Sequence, residues 1–219
     1  SKMRASICCL GPLLARRGEA RVSLPGGCSI GDRPVELHTR GMEALGAEVR
    51  IESGYVVAKA PRLRGNTVYL SGPMGPTVLG TQNVMMAAAG AEGVTVIEGA
   101  ACEPEVQATA GFLRAIGIVV EGDGTPVIRI EGHGRLGGDS CLAGCDYEIP
   151  PDRIETGTYL LAGAIAGGEV VVEGCRPSEN SALLHLLERI GVPVEVGEST
   201  LTVRGVESVN PVDIAMLPY

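Results

Sequence analysis

The sequence has 219 residues, of which 45% are hydrophobic and only 3% aromatic, and its formal net charge is −8. This length suits one large or two small domains with an aliphatic core, and the negative charge argues against nucleic acid as the main partner. The positive groups are nevertheless concentrated, because residues 1–50 hold eight of the 18 Lys and Arg but five of the 26 Asp and Glu. Such an arginine-rich opening suits a small anion, although scattered solvated charges give the same count.

The seven cysteines are an odd number, which favours reduced thiols over a disulfide framework. The longest apolar run, ICCLGPLLA from Ile7, is too short to span a bilayer, and no signal peptide precedes it. We therefore expect a cytoplasmic protein that does not enter the membrane. Cys141 and Cys145 have loose metal-ligand spacing, but nothing nearby completes a zinc site, so we expect no metal and no cofactor.

Three copies of one unit follow each other along the chain. The phrases RRGEARVSL, AEGVTVIEG and AGGEVVVEG contain Gly18, Gly93 and Gly168, which lie 75 residues apart both times. A helix rich in small residues is predicted before each phrase, at residues 3–15, 81–91 and 153–165.

Each phrase also leads into a second helix and two more strands. The helices end in MEALGAEVRI, LRAIGIVVEG and LERIGVPVEV, and the last strands are YVVAKA, PVIRIEG and TLTVRG. Short strands, TVYL and DYEI, precede the second and third copies. The unit therefore reads β-α-β-α-β-β, an α/β (α+β) arrangement, and several units must pack together because one alone exposes too much of its sheet and helices.

The loop after the first strand distinguishes the first copy from the others. The three loops read SLPGGCSIGDRPVELH, EGAACEPEVQA and EGCRPSENSALLH, with Cys28, Cys102 and Cys175 near the strand ends. Small apolar residues fit such turns, so Cys102 and Cys175 are interpreted as structural. Glycines flank only Cys28, and Arg33 follows it at the start of a helix that Asp32 can cap. A thiol there can donate a proton or attack a substrate, although a turn around a packed cysteine stays possible on spacing alone.

A second glycine-rich segment, GPTVLGTQ from Gly75, has the glycine spacing of a Walker A loop. Thr81 stands where that loop requires lysine, so we do not expect a triphosphate site. The strand–helix junctions also lack G-x-G-x-x-G, which argues against a dinucleotide-binding fold.

The motifs KMRASI, GPLLAR, SLPGGCSIGDRPVELH, GMEALGA, NVMMAA, EPEV and PDRIETGTYLLAGAI together resemble the UDP-N-acetylglucosamine enolpyruvyl transferase family. The similarity runs in order through nearly the whole chain. It implies transfer of an enolpyruvyl group from phosphoenolpyruvate to the 3-hydroxyl of UDP-N-acetylglucosamine with release of phosphate, the first committed step of peptidoglycan synthesis. It also implies the family's inside-out barrel fold, which has two domains of three β-α-β-α-β-β units each.

The resemblance implies a role for each matching residue. Cys28 is similar to the loop cysteine that protonates the phosphoenolpyruvate methylene and that fosfomycin alkylates. Arg33 is similar to the arginine that holds phosphoenolpyruvate when the loop closes, and Glu36 replaces the aspartate usual in the nucleotide-sugar segment. The implied catalytic residues are Cys28 and Arg33, and the implied substrate-binding residues are Arg4, Arg33, Pro34, Val35, Glu36, Leu37, Glu103 and Arg153.

The resemblance covers three units where the family has six. It implies that residues 1–150 are the last two units of the first domain, with the catalytic loop at 23–34, and that residues 151–219 are a truncated first unit of the second domain. The family's aspartate that acts as base on the sugar hydroxyl would follow residue 219, so we expect no turnover by this chain alone. The loop at 71–83 is longer than in the family, and Thr77 and Val78 are candidates for nucleotide contacts.

Two other interpretations stay open. A related enolpyruvyl transferase, such as 5-enolpyruvylshikimate-3-phosphate synthase, uses the same donor with another acceptor, but its loops lack the glycine-flanked cysteine. The second is a nucleotide-sugar-binding fragment without catalysis. A reactive Cys28 beside inert Cys102 and Cys175 would distinguish an enzyme from a binding module.

Overall fold

A computed structural model describes residues 3–25, 35–134, 136 and 142–214, with only the backbone of Arg4. The chain forms two compact units, the first ending at Tyr147 and the second beginning at Glu148. Within these ranges, no helix combines the length and the apolar composition that a membrane crossing requires. The assignment of the two units to two different domains of a larger fold stays a prediction.

The first repeat pairs its helices with a three-stranded sheet. Its elements are a 3-10 helix (Arg4–Cys9), α1 (Leu10–Arg17), β1 (Glu19–Ser23), α2 (Glu36–Ala44), β2 (Glu48–Glu52) and β3 (Tyr55–Lys59). The strand order is β1-β3-β2, and both pairings are antiparallel. The helix expected at residues 3–15 therefore begins as tight 3-10 turns and extends two residues further than predicted.

The second repeat has the same plan with two additions. Its elements are β4 (Thr67–Tyr69), β5 (Ser71–Gly72), β6 (Gly75–Pro76), α3 (Val78–Ala88), β7 (Glu92–Glu98), α4 (Pro104–Ala115), β8 (Val119–Glu121) and β9 (Val127–His133). The sheet order is β4-β7-β9-β8, and the added edge strand β4 runs parallel to β7. Strands β5 and β6 form a hairpin that the sequence analysis did not predict.

The third repeat lies in the second unit. Its elements are α5 (Arg153–Ala166), β10 (Glu169–Glu173), a 3-10 helix (Pro177–Asn180), α6 (Ser181–Arg189), β11 (Val194–Val196) and β12 (Thr200–Arg204), with strand order β10-β12-β11. The prediction of a leading strand at DYEI was wrong, because residues 142–152 have no regular structure. Ile149 is 84% exposed there, and Pro150 and Pro151 have no backbone N–H to donate to a sheet.

Glycines mark the same two turns in every repeat. Where the strand after the first helix of each repeat begins, φ is +74°, +88° and +84° at Gly18, Gly93 and Gly168; Gly18 and Gly168 directly precede β1 and β10, and Gly93 is the second residue of β7. After the second helix, φ is +91°, +100° and +86° at Gly46, Gly117 and Gly191. A residue with a Cβ is strained in this left-handed region, so the sequence needs glycine there. The shared geometry confirms the three copies predicted from the sequence.

Helix α3 lies at the centre of the first unit, where α1, α2 and α4 pack around it. It is apolar on nearly all sides, as expected of a helix without a solvent face. Two neighbours approach it so closely that only glycine fits. A Cβ on Gly11 of α1 would overlap the Asn83 carbonyl oxygen, and a Cβ on Gly41 of α2 would overlap Cγ2 of Val84.

The second unit has a hydrophobic core of its own. Helix α5 covers strands β10 and β12, and the buried residues are Leu160, Cys175, Leu187, Val192, Leu201 and Val203. Cys175 is only 3% exposed and packs in this core. The interpretation of Cys175 as a structural residue is therefore confirmed.

Candidate functional site

The structure divides the predicted site residues by element. Cys28, Arg33 and Pro34 lie outside the described residues, as does the side chain of Arg4, whose backbone begins the first 3-10 helix. The start of α2 carries Val35, Glu36 and Leu37, the start of α4 carries Glu103, and the start of α5, in the second unit, carries Arg153. Each described candidate therefore stands at the beginning of a helix, where the first backbone N–H groups have no partner within the helix and the positive end of the helix dipole lies.

The start of α2 is fixed against the strands before α3. Glu36 is the first helical residue and is exposed, and its carboxylate is favourably placed at the positive end of the helix. Leu37 lies against the β5–β6 hairpin, since a Cβ on Gly72 would be 3.6 Å from Leu37 Cδ1. One turn later, Arg40 Nη1 donates to the carbonyl oxygen of Tyr69 at 3.3 Å. These contacts hold the segment at 35–37 beside the hairpin.

Glu103 occupies the N-cap position of α4, and Pro104 is the first helical residue. Proline suits this position because it has no N–H to leave unpaired. The neighbouring Cys102 thiol is partly buried, and burial raises its pKa, with a further contribution from the negative charge of Glu103. A thiol with a raised pKa is a poor nucleophile at neutral pH, which agrees with the structural interpretation of Cys102.

Asp152 caps α5, where Arg153 is the first residue. The Asp152 carboxylate accepts hydrogen bonds from the backbone N–H groups of Ile154 and Glu155, at 2.8 and 3.0 Å. This cap fixes the point at which the helix begins. Arg153 is half-buried at that point.

Thr81 on α3 connects this helix to the turn before Glu103. It is fully buried, and its hydroxyl donates to the carbonyl oxygen of Thr77 at 2.7 Å. The same hydroxyl oxygen accepts a hydrogen bond from the backbone N–H of Ala101 at 3.2 Å. The backbone that leads to Glu103 is therefore anchored on the first turn of α3.

Gln82, the next residue, connects α3 to the first two turns of α4. Its Nε2 donates to the carbonyl oxygen of Glu105 at 3.0 Å and to Oγ1 of Thr109 at 2.9 Å. The Thr109 hydroxyl donates in turn to the same carbonyl oxygen, at 3.0 Å. The position of α4, and of Glu103 at its start, depends on these bonds.

Asn83, the third consecutive polar residue, connects α3 to the first repeat. Its Oδ1 accepts a hydrogen bond from the backbone N–H of Gly11 at 2.7 Å, and its Nδ2 donates to the carbonyl oxygen of Ile7 at 3.0 Å. The same Nδ2 lies 3.0 Å from Nδ1 of His38 on α2. Residues 81–83, which we call the α3 junction, thus bind every segment of the first unit that carries a described site candidate.

The α3 junction was not among the site residues predicted from the sequence. Besides the nucleotide contacts expected of Thr77 and Val78, GPTVLGTQ was interpreted only as a possible phosphate-binding loop, which the lack of a lysine at Thr81 excludes. The available signal was the run TQN inside an otherwise apolar helix. Buried polar side chains need hydrogen-bond partners, so three in succession predict that neighbouring elements supply them.

A family model described as EPSP synthase (3-phosphoshikimate 1-carboxyvinyltransferase) matches residues 1–219. Among curated proteins, the UDP-N-acetylglucosamine 1-carboxyvinyltransferase of Desulforapulum autotrophicum is 49% identical over 218 residues, which are 100% of this chain and 50% of that protein. The one from Methylacidiphilum infernorum is 51% identical over 195 residues, 89% of this chain and 45% of that protein. The chain therefore spans about half the length of the curated relatives that it matches.

Solved structures show the same fold. The enolpyruvyl transferase NikO from Streptomyces tendae matches with a TM-score of 0.75 and 25% identity, over 91% of this chain and 47% of that one. The EPSP synthase from Acinetobacter baumannii matches with a TM-score of 0.63 and 21% identity, over 96% of this chain and 48% of that one. The repeated α/β architecture derived above is thus the architecture of these transferases.

Proposed function

Because the chain belongs to the EPSP synthase (3-phosphoshikimate 1-carboxyvinyltransferase) family, we propose that it functions in the transfer of an enolpyruvyl group from phosphoenolpyruvate to the 3-hydroxyl of UDP-N-acetylglucosamine, with release of phosphate. The observation that carries this choice of acceptor is the 49% identity, over the whole chain, to a protein named UDP-N-acetylglucosamine 1-carboxyvinyltransferase. The solved EPSP synthase is only 21% identical to this chain, so that comparison supports the fold and not the choice of acceptor.

Cys28 is the proposed general acid. Its thiol delivers a proton to C3 of phosphoenolpyruvate, which makes C2 electrophilic, and the sugar 3-hydroxyl adds to C2 while its proton passes to a base, for which the resemblance implies an aspartate. The tetrahedral adduct then loses phosphate from C2 and a proton from C3, which restores the double bond in the product. An ordinary thiol, with a pKa of about 8.5, is mostly protonated at neutral pH and is therefore available as an acid.

Two arginines are proposed to bind the donor. Phosphoenolpyruvate carries several negative charges, and the guanidinium fork matches carboxylate and phosphate groups. We assign this role to Arg33 in the loop and to Arg4 at the start of the 3-10 helix. Arg4 lies three residues before Ile7, whose carbonyl oxygen accepts a hydrogen bond from Asn83.

The nucleotide sugar is proposed to bind along Pro34 and the start of α2. In this proposal Val35, Glu36 and Leu37 make the contacts, supported by the hairpin and by Arg40. Glu103 and Arg153 are proposed as polar contacts near the sugar. Glu36 keeps a carboxylate where the family usually has aspartate, so the interaction is extended by one methylene.

The proposed reaction belongs to peptidoglycan synthesis, and through it to cell wall biogenesis, cell shape and cell division. Both proposed substrates are small soluble anions, which suits a reaction in the cytoplasm. No metal or cofactor has a step in it, because proton transfer and electrostatic stabilisation account for both stages.

The proposed function is tested by alkylation with fosfomycin. The purified chain is incubated with fosfomycin, with and without UDP-N-acetylglucosamine, and adducts are mapped on all seven cysteines by mass spectrometry. We expect an adduct on Cys28 alone, formed faster with the sugar nucleotide. The exposed thiols of Cys9 and Cys145 report unspecific alkylation within the same sample.

Two controls identify the site and the acceptor. Cys28→Ser should abolish the adduct, and shikimate 3-phosphate in place of UDP-N-acetylglucosamine should not accelerate it. Labelling of no cysteine, or equal labelling of Cys28 and the exposed thiols, would contradict the proposal. Acceleration by shikimate 3-phosphate instead would move the assignment to the related transferase.

A further inference from the structure

We propose that Asn83 is a positioning residue, which holds His38 in a single tautomer and joins α2 to the first 3-10 helix. The inference rests on the proposed function, because these two elements carry residues 35–37 and Arg4. Asn83 and His38 are 0% and 3% exposed. Because Asn83 is buried, it can affect a bound substrate only through the helices that it contacts.

The orientation of the Asn83 carboxamide follows from its two backbone partners. The Gly11 N–H can only donate, so the atom that it meets at 2.7 Å must be the carbonyl oxygen of the side chain. The Ile7 carbonyl can only accept, so the atom at 3.0 Å from it must be the amide nitrogen. Both partners require the same orientation, and a flipped carboxamide would oppose donor to donor and acceptor to acceptor.

This orientation determines the tautomer of His38. The Asn83 amide nitrogen has hydrogens and no lone pair to offer, and it lies 3.0 Å from His38 Nδ1. Nδ1 must therefore accept, which requires a neutral imidazole with its hydrogen on Nε2. One carboxamide thereby sets which ring nitrogen of His38 is the donor.

The same carboxamide fixes two segments of the proposed site relative to α3. The His38 backbone N–H donates to the Val35 carbonyl at 2.9 Å, so His38 is one turn after Val35 and directly follows the three residues proposed to bind the nucleotide sugar. Ile7 is one turn after Arg4 within the 3-10 helix. Loss of the Nδ2 donor would remove a hydrogen bond from α3 to each of the two segments at once.

The tautomer is measured by nitrogen-15 NMR of chain labelled at histidine. The sequence has three histidines, and the other two, His133 and His185, are exposed and serve as references. We expect His38 to show a protonated Nε2 and an unprotonated Nδ1, without the averaging of an exposed ring. In Asn83→Asp, a carboxylate that only accepts faces Nδ1, so we expect Nδ1 to become protonated.

The matched control is Asn66→Asp, the same substitution at a residue that contacts the other end of α2. Asn66 Nδ2 donates to the carbonyl oxygen of Ala44, the last residue of α2, at 3.0 Å. This variant should leave the His38 signals unchanged. A hydrogen on Nδ1 of His38 in the unaltered chain would overturn the proposal, and that measurement needs no variant to fold. An unchanged tautomer in folded Asn83→Asp, with the introduced carboxyl group shown by NMR to be ionised, would also overturn it.

The consequence for the site is measured through UDP-N-acetylglucosamine binding, followed by the amide signals of residues 35–37. If Asn83→Asp leaves the binding arrangement populated about one tenth of the time, the apparent Kd rises about tenfold, while Asn66→Asp stays within about twofold. Asn83→Asp that binds as well as the unaltered chain would overturn the positioning role. If the unaltered chain shows no binding at all, the proposed function fails and not the inference about Asn83. The NMR measurement of the His38 tautomer then still tests whether Asn83 positions α2.

Discussion

The close approach of α2 and α3 is tested by a pair of substitutions whose effects on the free energy of unfolding should not be additive. In Gly41→Ala the new Cβ overlaps Cγ2 of Val84, while Cβ and Cγ1 of Val84 stand at 3.4 and 3.6 Å. Overpacking of this kind costs about 1–3 kcal/mol, and Val84 is fully buried, so we take about 3 kcal/mol. Alanine gains about 1 kcal/mol over glycine in a helix, which leaves a net loss of about 2 kcal/mol.

Val84→Ala alone removes two buried methyl groups, which costs about 2–3 kcal/mol with the cavity that they leave. In the double variant the methyl group introduced at position 41 occupies part of the vacated space, and the helix-propensity gain is kept. We therefore expect the double variant to be more stable than the sum of the two single effects by about 2–3 kcal/mol, near the upper end of measured coupling energies.

The assay is urea unfolding, monitored through hydrogen exchange of peptides from α2 and α3. These peptides report the stability of the first unit separately from that of the second. Gly144→Ala is the control, because a Cβ there meets no atom within 4 Å, and it should stay within about 0.5 kcal/mol of the unaltered chain. Additivity of Gly41→Ala and Val84→Ala within about 0.5 kcal/mol would refute the described contact between the two helices.

Three further predictions concern charge, thiol reactivity and the second core. Arg114 donates two hydrogen bonds to the Asp123 carboxylate, at 2.7 and 3.1 Å, and these lower the pKa of Asp123. The resulting stability is present above the ordinary carboxyl pKa of about 3.9 and is lost as the pH falls through the lowered value. Asp123→Asn should therefore cost up to about 1 kcal/mol in urea unfolding at pH 7, since Arg114 is partly exposed, and a cost that does not fall at all as the pH is lowered through the acidic range would contradict this reasoning. Burial raises the pKa of the Cys102 and Cys175 thiols, so in the folded chain both should react with iodoacetamide at pH 8 more slowly than the exposed cysteines; equal rates by mass spectrometry would show that the thiols are accessible. Leu187→Ala should destabilise the second unit by about 2–5 kcal/mol and accelerate hydrogen exchange in β10 and β12, while exchange in β7 and β9 stays unchanged; acceleration in both units would contradict separate cores.

The repeats could be predicted because each turn imposes the same backbone requirement on one residue. A left-handed backbone conformation where a strand begins selects glycine, and the sequence shows that choice at Gly18, Gly93 and Gly168. The helices and strands between these glycines then follow from their apolar periodicity. Local chemistry that recurs at fixed spacing is visible without a structure.

Elements that depend on distant partners could not be predicted. The strands Ser71–Gly72 and Gly75–Pro76 have two residues each, too few for an alternating pattern. The stretch DYEI has the pattern of a strand but forms none, since a strand exists only where a neighbour accepts its hydrogen bonds. Residue type indicates a preference, and the partner decides the outcome.

The candidate site divides in the same way. The types and spacing of Cys28 and Arg33 indicated chemistry, and the resemblance supplied roles that stay predictions. The bond between Asn83 and His38 could not be foreseen, because 45 residues separate them and only the packing of α2 on α3 brings their nitrogens to 3.0 Å. Sequence patterns identify groups that can react more readily than the buried groups that hold them in place.

The central position of α3 has a consequence for the order of events during synthesis. The sheet β1-β3-β2 is complete once the ribosome has passed Lys59, but α3 begins only at Val78. Until α3 emerges, the faces of α1 and α2 at Gly11 and Gly41 lack the helix that packs against them. The core of the first repeat is therefore completed only when the second repeat has been synthesised. We expect the two repeats to fold and unfold as one cooperative unit. The third repeat, with a core of its own, is free to follow as a separate folding event.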